Sequence, residues 1–168
     1  MAVQTVKKML DEHLQLCKTT DRSITESGLT VSTDIRPGEV IIFFRIDCAD
    51  GRLRLGMDAD SKCCDGLIFY VQINERNEKL CFLELKAARL KDAKEQIIKV
   101  YNHVKQLLDA ERISDVIQMA CICMKNQASP SDMRNIDDLK RLFGRNNVRL
   151  KTGIRHDKQL GDFLRKAG

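Results

Sequence analysis

The chain has 168 residues, 43% hydrophobic and 32% charged, with only 2 Pro; this excludes a disordered or Pro-rich chain and fits one domain over residues 1–168. No run of about eighteen apolar residues occurs, which excludes a membrane-spanning helix, and no membrane partner is expected. The net charge is +5, and it is uneven: residues 125–168 hold 11 Lys/Arg against 5 Asp/Glu, and the rest holds 18 against 19, a basic end that suits a polyanionic partner.

Met1–Lys8 turns charged before an apolar run develops, so no secretory signal is expected. Val6, Leu10, Leu14 and Cys17 recur at helical spacing and predict a helix over 6–18. Residues 19–33 are polar and read as a loop or irregular strand. Arg36-Pro37-Gly38-Glu39 is a turn. The β-branched and aromatic run over 40–47 is a strand. Ala49-Asp50-Gly51 reads as a turn and 52–57 as a short edge strand.

Two apolar runs, 64–73 and 80–87, flank the polar stretch 74–79 and read as a hairpin. Leu90, Ala93, Ile97, Val100, Val104 and Leu108 then follow helical spacing. Residues 115–124 are a third core strand. Residues 132–143 are a helix capped by Ser131 and stopped by Gly144. A strand over 148–152 and a helix over 158–166 complete an α/β domain. Its core spans 40–124, its basic C-terminal portion spans 125–168, and helices are expected on both sides of a central hairpin.

The seven cysteines are odd in number and contain no Cys-x-x-Cys. Free thiols in a cytoplasmic setting are expected. Cys81, Cys121 and Cys123 sit in apolar runs as small hydrophobes. A zinc site from Cys48, Cys63 and Cys64 is the weaker alternative. His13, His103 and His156 show no ligand spacing. No Gly-x-Ser-x-Gly elbow and no phosphate-binding Gly-rich loop occurs.

The anomaly is charge inside the hairpin. Glu84 and Lys86 interrupt an apolar strand, two residues apart and therefore on one face. Buried charges cost several kcal/mol unless they are paired or bind a metal. With a turn centred on Arg76 and Asn77, Glu84 opposes Phe69, Lys86 opposes Leu67 and Asp65 opposes position 88, which puts Asp65 on the same face. Two carboxylates suit a hard cation such as Mg²⁺, or Mn²⁺ in its place. Such an ion holds a phosphate oxygen and acidifies water, and a lysine offsets growing charge. An ion pair at the sheet edge satisfies the same cost.

Asp65, followed by Glu84-Leu85-Lys86 on the next strand and then by a helix, resembles the PD-(D/E)XK nuclease superfamily. The likeness runs from Val40 to Met124. It departs from the family pattern in having Cys64 where the family has Pro, and in a spacing of nineteen from Asp65 to Glu84. The resemblance implies a restriction-endonuclease-like fold and a metal-dependent endonuclease that hydrolyses phosphodiester bonds, of DNA in most relatives. It implies metal ligation by Asp65, Glu84 and the Leu85 carbonyl, with Lys86 as catalytic lysine and Gln96 at a fourth polar position on the helix. A further acid is Glu26 or Glu12. Small members often act as homodimers. Arg145, Arg149, Lys151 and Arg155 would track a nucleic-acid backbone. The alternative is a catalytically inactive module of the same fold that binds nucleic acid or protein within a larger defence or repair assembly.

Overall fold

The computed structural model describes residues 5–75, 77–86 and 89–168, with the Lys86 side chain outside that description. The first helix, α1 (Val6–Leu14), is shorter than its apolar spacing predicts, because the chain tightens into a 3₁₀ turn at Gln15–Cys17. Thr5 caps α1 by accepting the Lys8 N–H, and Glu78 accepts the Val6 N–H at 2.9 Å. The predicted loop at 19–33 is instead a hairpin, β1 (Ser23–Glu26) and β2 (Leu29–Ser32). Its two-residue turn, Ser27-Gly28, holds positive φ at both positions, as such a tight turn requires.

β3 (Glu39–Arg45) follows the Pro37-Gly38 turn. The predicted turn and edge strand at 49–57 are corrected to a short helix, α2 (Ala49–Arg54). The Cys48 thiol caps it by accepting the Gly51 N–H at 3.3 Å, and Arg52 and Arg54 sit in its last turn. β4 (Gly66–Gln72) and β5 (Glu78–Lys86) form the central hairpin, followed by α3 (Leu90–Ala110) and β6 (Val116–Met124). A 3₁₀ turn leads into α4 (Met133–Phe143). The expected Ser131 cap is corrected: Asp132 holds the cap position of α4 without a side-chain cap hydrogen bond, and the Ser129 hydroxyl caps the 3₁₀ turn instead, accepting the Asp132 N–H at 3.3 Å. Gly144 ends the helix at φ 98°. β7 (Val148–Lys151) matches the strand expected over 148–152; β8 (His156–Asp157), which no pattern in the sequence marks, and α5 (Leu160–Lys166) complete the chain.

Among the described residues the strands form a five-stranded sheet, β3-β4-β5-β6-β7, and a three-stranded one, β1-β2-β8. The large sheet is mixed: β3, β4 and β5 are antiparallel, whereas β5, β6 and β7 are parallel. One face presents Leu67, Phe69, Leu80, Phe82 and Ile122 to α1, α3 and α4. The expectation of helices on both sides holds only in part. The other face, with Ile68, Cys81, Leu83 and Cys121, packs against Ile24, Leu29 and Val31 of the small sheet as well as Leu160 and Leu164 of α5. All seven cysteines are free thiols, and no described helix is long and apolar enough to cross a membrane.

The hairpin register corrects the predicted one. Gly66 pairs with Leu83 and Leu67 with Phe82, so Phe69 opposes Leu80 rather than Glu84. The chain turns earlier than predicted, because the Glu75 N–H closes a β-turn onto the Gln72 carbonyl at 2.8 Å. Extended by one residue, this register sets Asp65 opposite Glu84 instead of position 88. Parity is unchanged, so the two acids still share a face.

α5 is locked on by charge. Arg165 Nε donates to Glu39 Oε1 at 2.6 Å, Tyr70 donates to the same oxygen at 3.1 Å, and Lys79 donates to the Leu164 carbonyl at 3.0 Å. The Arg165 hydrogen bond is the largest influence on the Glu39 carboxyl and helps hold its pKa down to about 2 from 4.5. A lowered folded-state pKa means the stabilisation is complete above about 4.5 and is lost as pH falls toward about 2. Thermal melts of the parent and Glu39→Gln should therefore differ by a constant gap at neutral pH that closes through this acid window. A gap independent of pH would show that Glu39 acts through shape alone.

Candidate active site

The site lies where β4 begins and β5 ends. Asp65 immediately precedes β4. Its carbonyl accepts the Ile46 N–H at 3.2 Å, and its carboxylate Oδ2 accepts the Leu85 N–H at 2.6 Å. Leu85 lies beyond the last residue of β5 paired with β4, so the acid takes an N–H that the ladder leaves over. Glu84 stands on the helix-facing side of the sheet, in step with Leu80 and Phe82. Asp65 is 6% exposed, Glu84 2% and Gln96 7%. Gln96 comes from α3, whose buried stripe of Ala93, Ile97 and Val100 fixes that helix on the same side of the sheet.

These residues open into one cavity of about 380 Å³. Glu26, Asp47, Asp65, Glu84, Leu85 and Gln96 all line it. A second cavity of about 400 Å³ adjoins it, shares Asp60, Ser61, Lys62 and Gln96, and adds Asp58, Asp92, Glu95 and Lys99. The walls are strongly acidic.

Cations brace the cleft from its margins. Arg52 pairs with Asp47 and donates from Nε to the Ser61 carbonyl at 2.8 Å. Lys99 donates to the Ser61 hydroxyl at 3.0 Å. Together they pin the segment that leads into Asp65. Arg45 holds Glu26 at 2.6 Å on the rim, where β1 ends.

Of the predicted site residues, the structure thus brings together Asp65, Glu84, Leu85, Gln96 and Glu26. Glu12 is elsewhere: it sits on α1, half-exposed, with Lys8 at 3.7 Å. Lys86 is the last residue of β5, and its side chain lies outside the described residues. Of the four predicted backbone-tracking cations, Arg149 and Lys151 line one cavity. Arg145 precedes β7, Lys151 ends it, and Arg155 flanks β8. Arg149 is already committed, through a two-pronged pair with Asp157 that is almost wholly buried.

The sequence reading missed Asp60, Ser61, Lys62, Arg52 and Lys99 as cleft residues. The one signal was position: Asp58-Ala59-Asp60-Ser61-Lys62 directly precedes the motif acid.

Among the described residues no group of three or more His, Cys, Asp or Glu side chains is arranged to hold a metal ion. The donor chemistry still suits Mg²⁺, which keeps several waters and takes one or two carboxylates. Asp65 and Glu84 are opposed all-oxygen donors in a sheltered cavity. The thiol alternative does not fit. Cys48 caps α2 and lies 3.9 Å from Cys17, the Cys63 thiol points to the Ile46 carbonyl and the Cys64 thiol to the Gly66 carbonyl. Burial also pushes the Cys63 thiol up to about 12 and Cys64 well above its ordinary value, away from the thiolate that zinc requires.

No family model, curated protein or solved structure matches this chain.

Proposed function

We propose that this chain is a metal-dependent nuclease of the PD-(D/E)XK type, with a restriction-endonuclease-like core, acting on DNA in preference to RNA. The observation that carries this reading is the pair of nearly buried carboxylates, Asp65 and Glu84, that line the acidic cavity together. Asp65, Glu84 and the Leu85 carbonyl would hold Mg²⁺ or Mn²⁺. When bound, that ion supplies a polarised phosphate oxygen and a more acidic water.

The chain's own residues set the geometry around that chemistry. The Leu85 N–H fixes the Asp65 carboxylate, so Asp65 would meet the cation already oriented. Gln96 closes the wall opposite the sheet and offers a carboxamide to water or to a phosphate oxygen. Lys86, by its place in the motif, offsets charge that grows on the phosphate. Acidic walls repel a bare polyanion, so substrate entry requires the cation. A homodimer would let two such clefts meet both strands of a duplex.

The test is cleavage of duplex, single-stranded, branched and circular DNA and of RNA, each with Mg²⁺, Mn²⁺ or EDTA. Cutting is expected with either ion, lost in EDTA and lost in Lys86→Ala. A folded protein that binds nucleic acid but cuts nothing with either ion would replace this reading with the inactive module.

A further inference from the structure

A third cavity, of about 460 Å³, lies away from the cleft. Its lining comes from two elements. α5 presents one flank, with Gln159 just before its start and then Asp162, Phe163 and Lys166 at spacings of three and four. β7, an edge strand of the large sheet, presents Arg149 and Lys151. These two residues pair with Cys121 and Cys123, whose side chains fill the core on the face opposite Glu84. The cavity and the acidic cleft therefore sit on opposite faces of one sheet.

The charges in this cavity are not balanced internally. Asp162, its one lining acid, is held by Arg36 and by Arg165, each at 3.3 Å and neither in the lining. Arg149 is neutralised by Asp157 beneath it. Lys151 has a neutral partner, the Gln159 carboxamide oxygen at 3.3 Å. Lys166 is exposed and makes no ion pair among the described residues. Two ammonium groups are left facing the same space. Beside them stand the half-buried ring of Phe163 and the carboxamides of Gln159 and Asn146.

This combination selects a ligand class. Two ammonium groups call for an anion of more than one charge. A phenyl ring at the wall calls for a flat apolar body, and aromatic side chains stack on any base. Carboxamides both donate and accept, as the edge of a base requires. The volume lies within the roughly 300–1,000 Å³ typical of small-ligand sites, larger than a bare phosphate fills. We propose that this cavity binds a nucleoside phosphate, with phosphate at Lys151 and Lys166, the base against Phe163, and its edge read by Asn146 and Gln159. The site stands on its own residues, whether or not the cleft cuts.

The test is calorimetric titration of the full chain with adenosine 5′-monophosphate, guanosine 5′-monophosphate, adenosine and inorganic phosphate, all in EDTA. One saturable site is expected for at least one of the two nucleotides. That nucleotide should bind more tightly than phosphate, and its affinity should fall about tenfold or more in each of Lys151→Ala and Lys166→Ala, the scale of one charge-assisted hydrogen bond. Phe163→Leu should weaken nucleotide and leave phosphate unchanged. Glu84→Gln should bind like the parent, which separates this site from the cleft. A 5′-phosphorylated oligonucleotide distinguishes the source: tighter binding than the mononucleotide assigns a strand end, weaker binding a free nucleotide. No saturable binding, binding indifferent to both lysine substitutions, or phosphate bound as tightly as nucleotide would overturn the proposal.

Discussion

Glu84→Gln is expected to lower metal-dependent cleavage by about 10³-fold, the scale on which removing one charge-stabilising group costs an active site. Gln has the shape of Glu and still accepts a hydrogen bond, so the protein should fold like the parent. What it loses is one negative charge in a place where charge is costly: Glu84 is 2% exposed. A second readout comes from Mn²⁺ binding, which should weaken in the same variant, because one of two carboxylates is gone. Asp65 separates chemistry from architecture. Asp65→Asn keeps an oxygen for the Leu85 N–H and should lose activity with little change in melting temperature. Asp65→Ala also strands that buried N–H and should cost about 1–3 kcal/mol of stability. Unaltered cleavage and unaltered Mn²⁺ binding in Glu84→Gln would remove Glu84 from the site altogether.

The parts of this site that were legible in the sequence are those that violate a strong pattern. β5 is apolar enough that Glu84 stands out, and α3 has a long enough apolar stripe to place Gln96 near the sheet. Shared facing survived an error in register, because parity depends only on whether the turn gains an even number of residues. The turn itself was set too late, since nothing local distinguishes Ile73-Asn74 from the polar residues after them.

The illegible parts have tertiary causes. β1 and β2 carry only Ile24, Leu29 and Val31 into the core, too few to register as alternation. α2 is six residues long with Gly51 at its centre, a poor helix by propensity. That Gly is demanded by the Ile46 carbonyl, which would lie 2.1 Å from a Cβ at position 51. Glu26 reaches the cleft only because this hairpin ends at its rim, a placement that no spacing encodes.

Arg149 shows the cost of reading charge by count. In sequence it is one cation in a basic tail; in the fold it is a structural partner. Its side chain is 11% exposed and that of Asp157 only 3%, and Asp157 also accepts the Gln159 N–H at 2.9 Å. Burial is the largest single influence and favours the neutral acid, but the Arg149 hydrogen bonds, the Gln159 N–H and the charges of Arg149 and Lys151 together outweigh it and leave the Asp157 carboxyl below its ordinary 3.8. Arg149→Met is therefore expected to cost about 3–5 kcal/mol at neutral pH, because it strands a buried carboxylate. For a chain of this length that lowers the melting temperature by roughly 10 °C.

The deficit should depend on pH. The parent's Asp157 stabilises only above about 3.8 and loses that contribution as pH falls below it. Without Arg149, burial acts unopposed by it, the carboxyl protonates more readily, and the stranded charge disappears. The gap between parent and variant should thus be largest near neutral pH and close in acid. Replacing both partners, Arg149→Met with Asp157→Leu, should recover most of the loss, since an apolar pair has no charge to desolvate. An Arg149→Met protein that melts like the parent but binds nucleic acid with a shallower salt dependence would return Arg149 to the role its sequence context suggests.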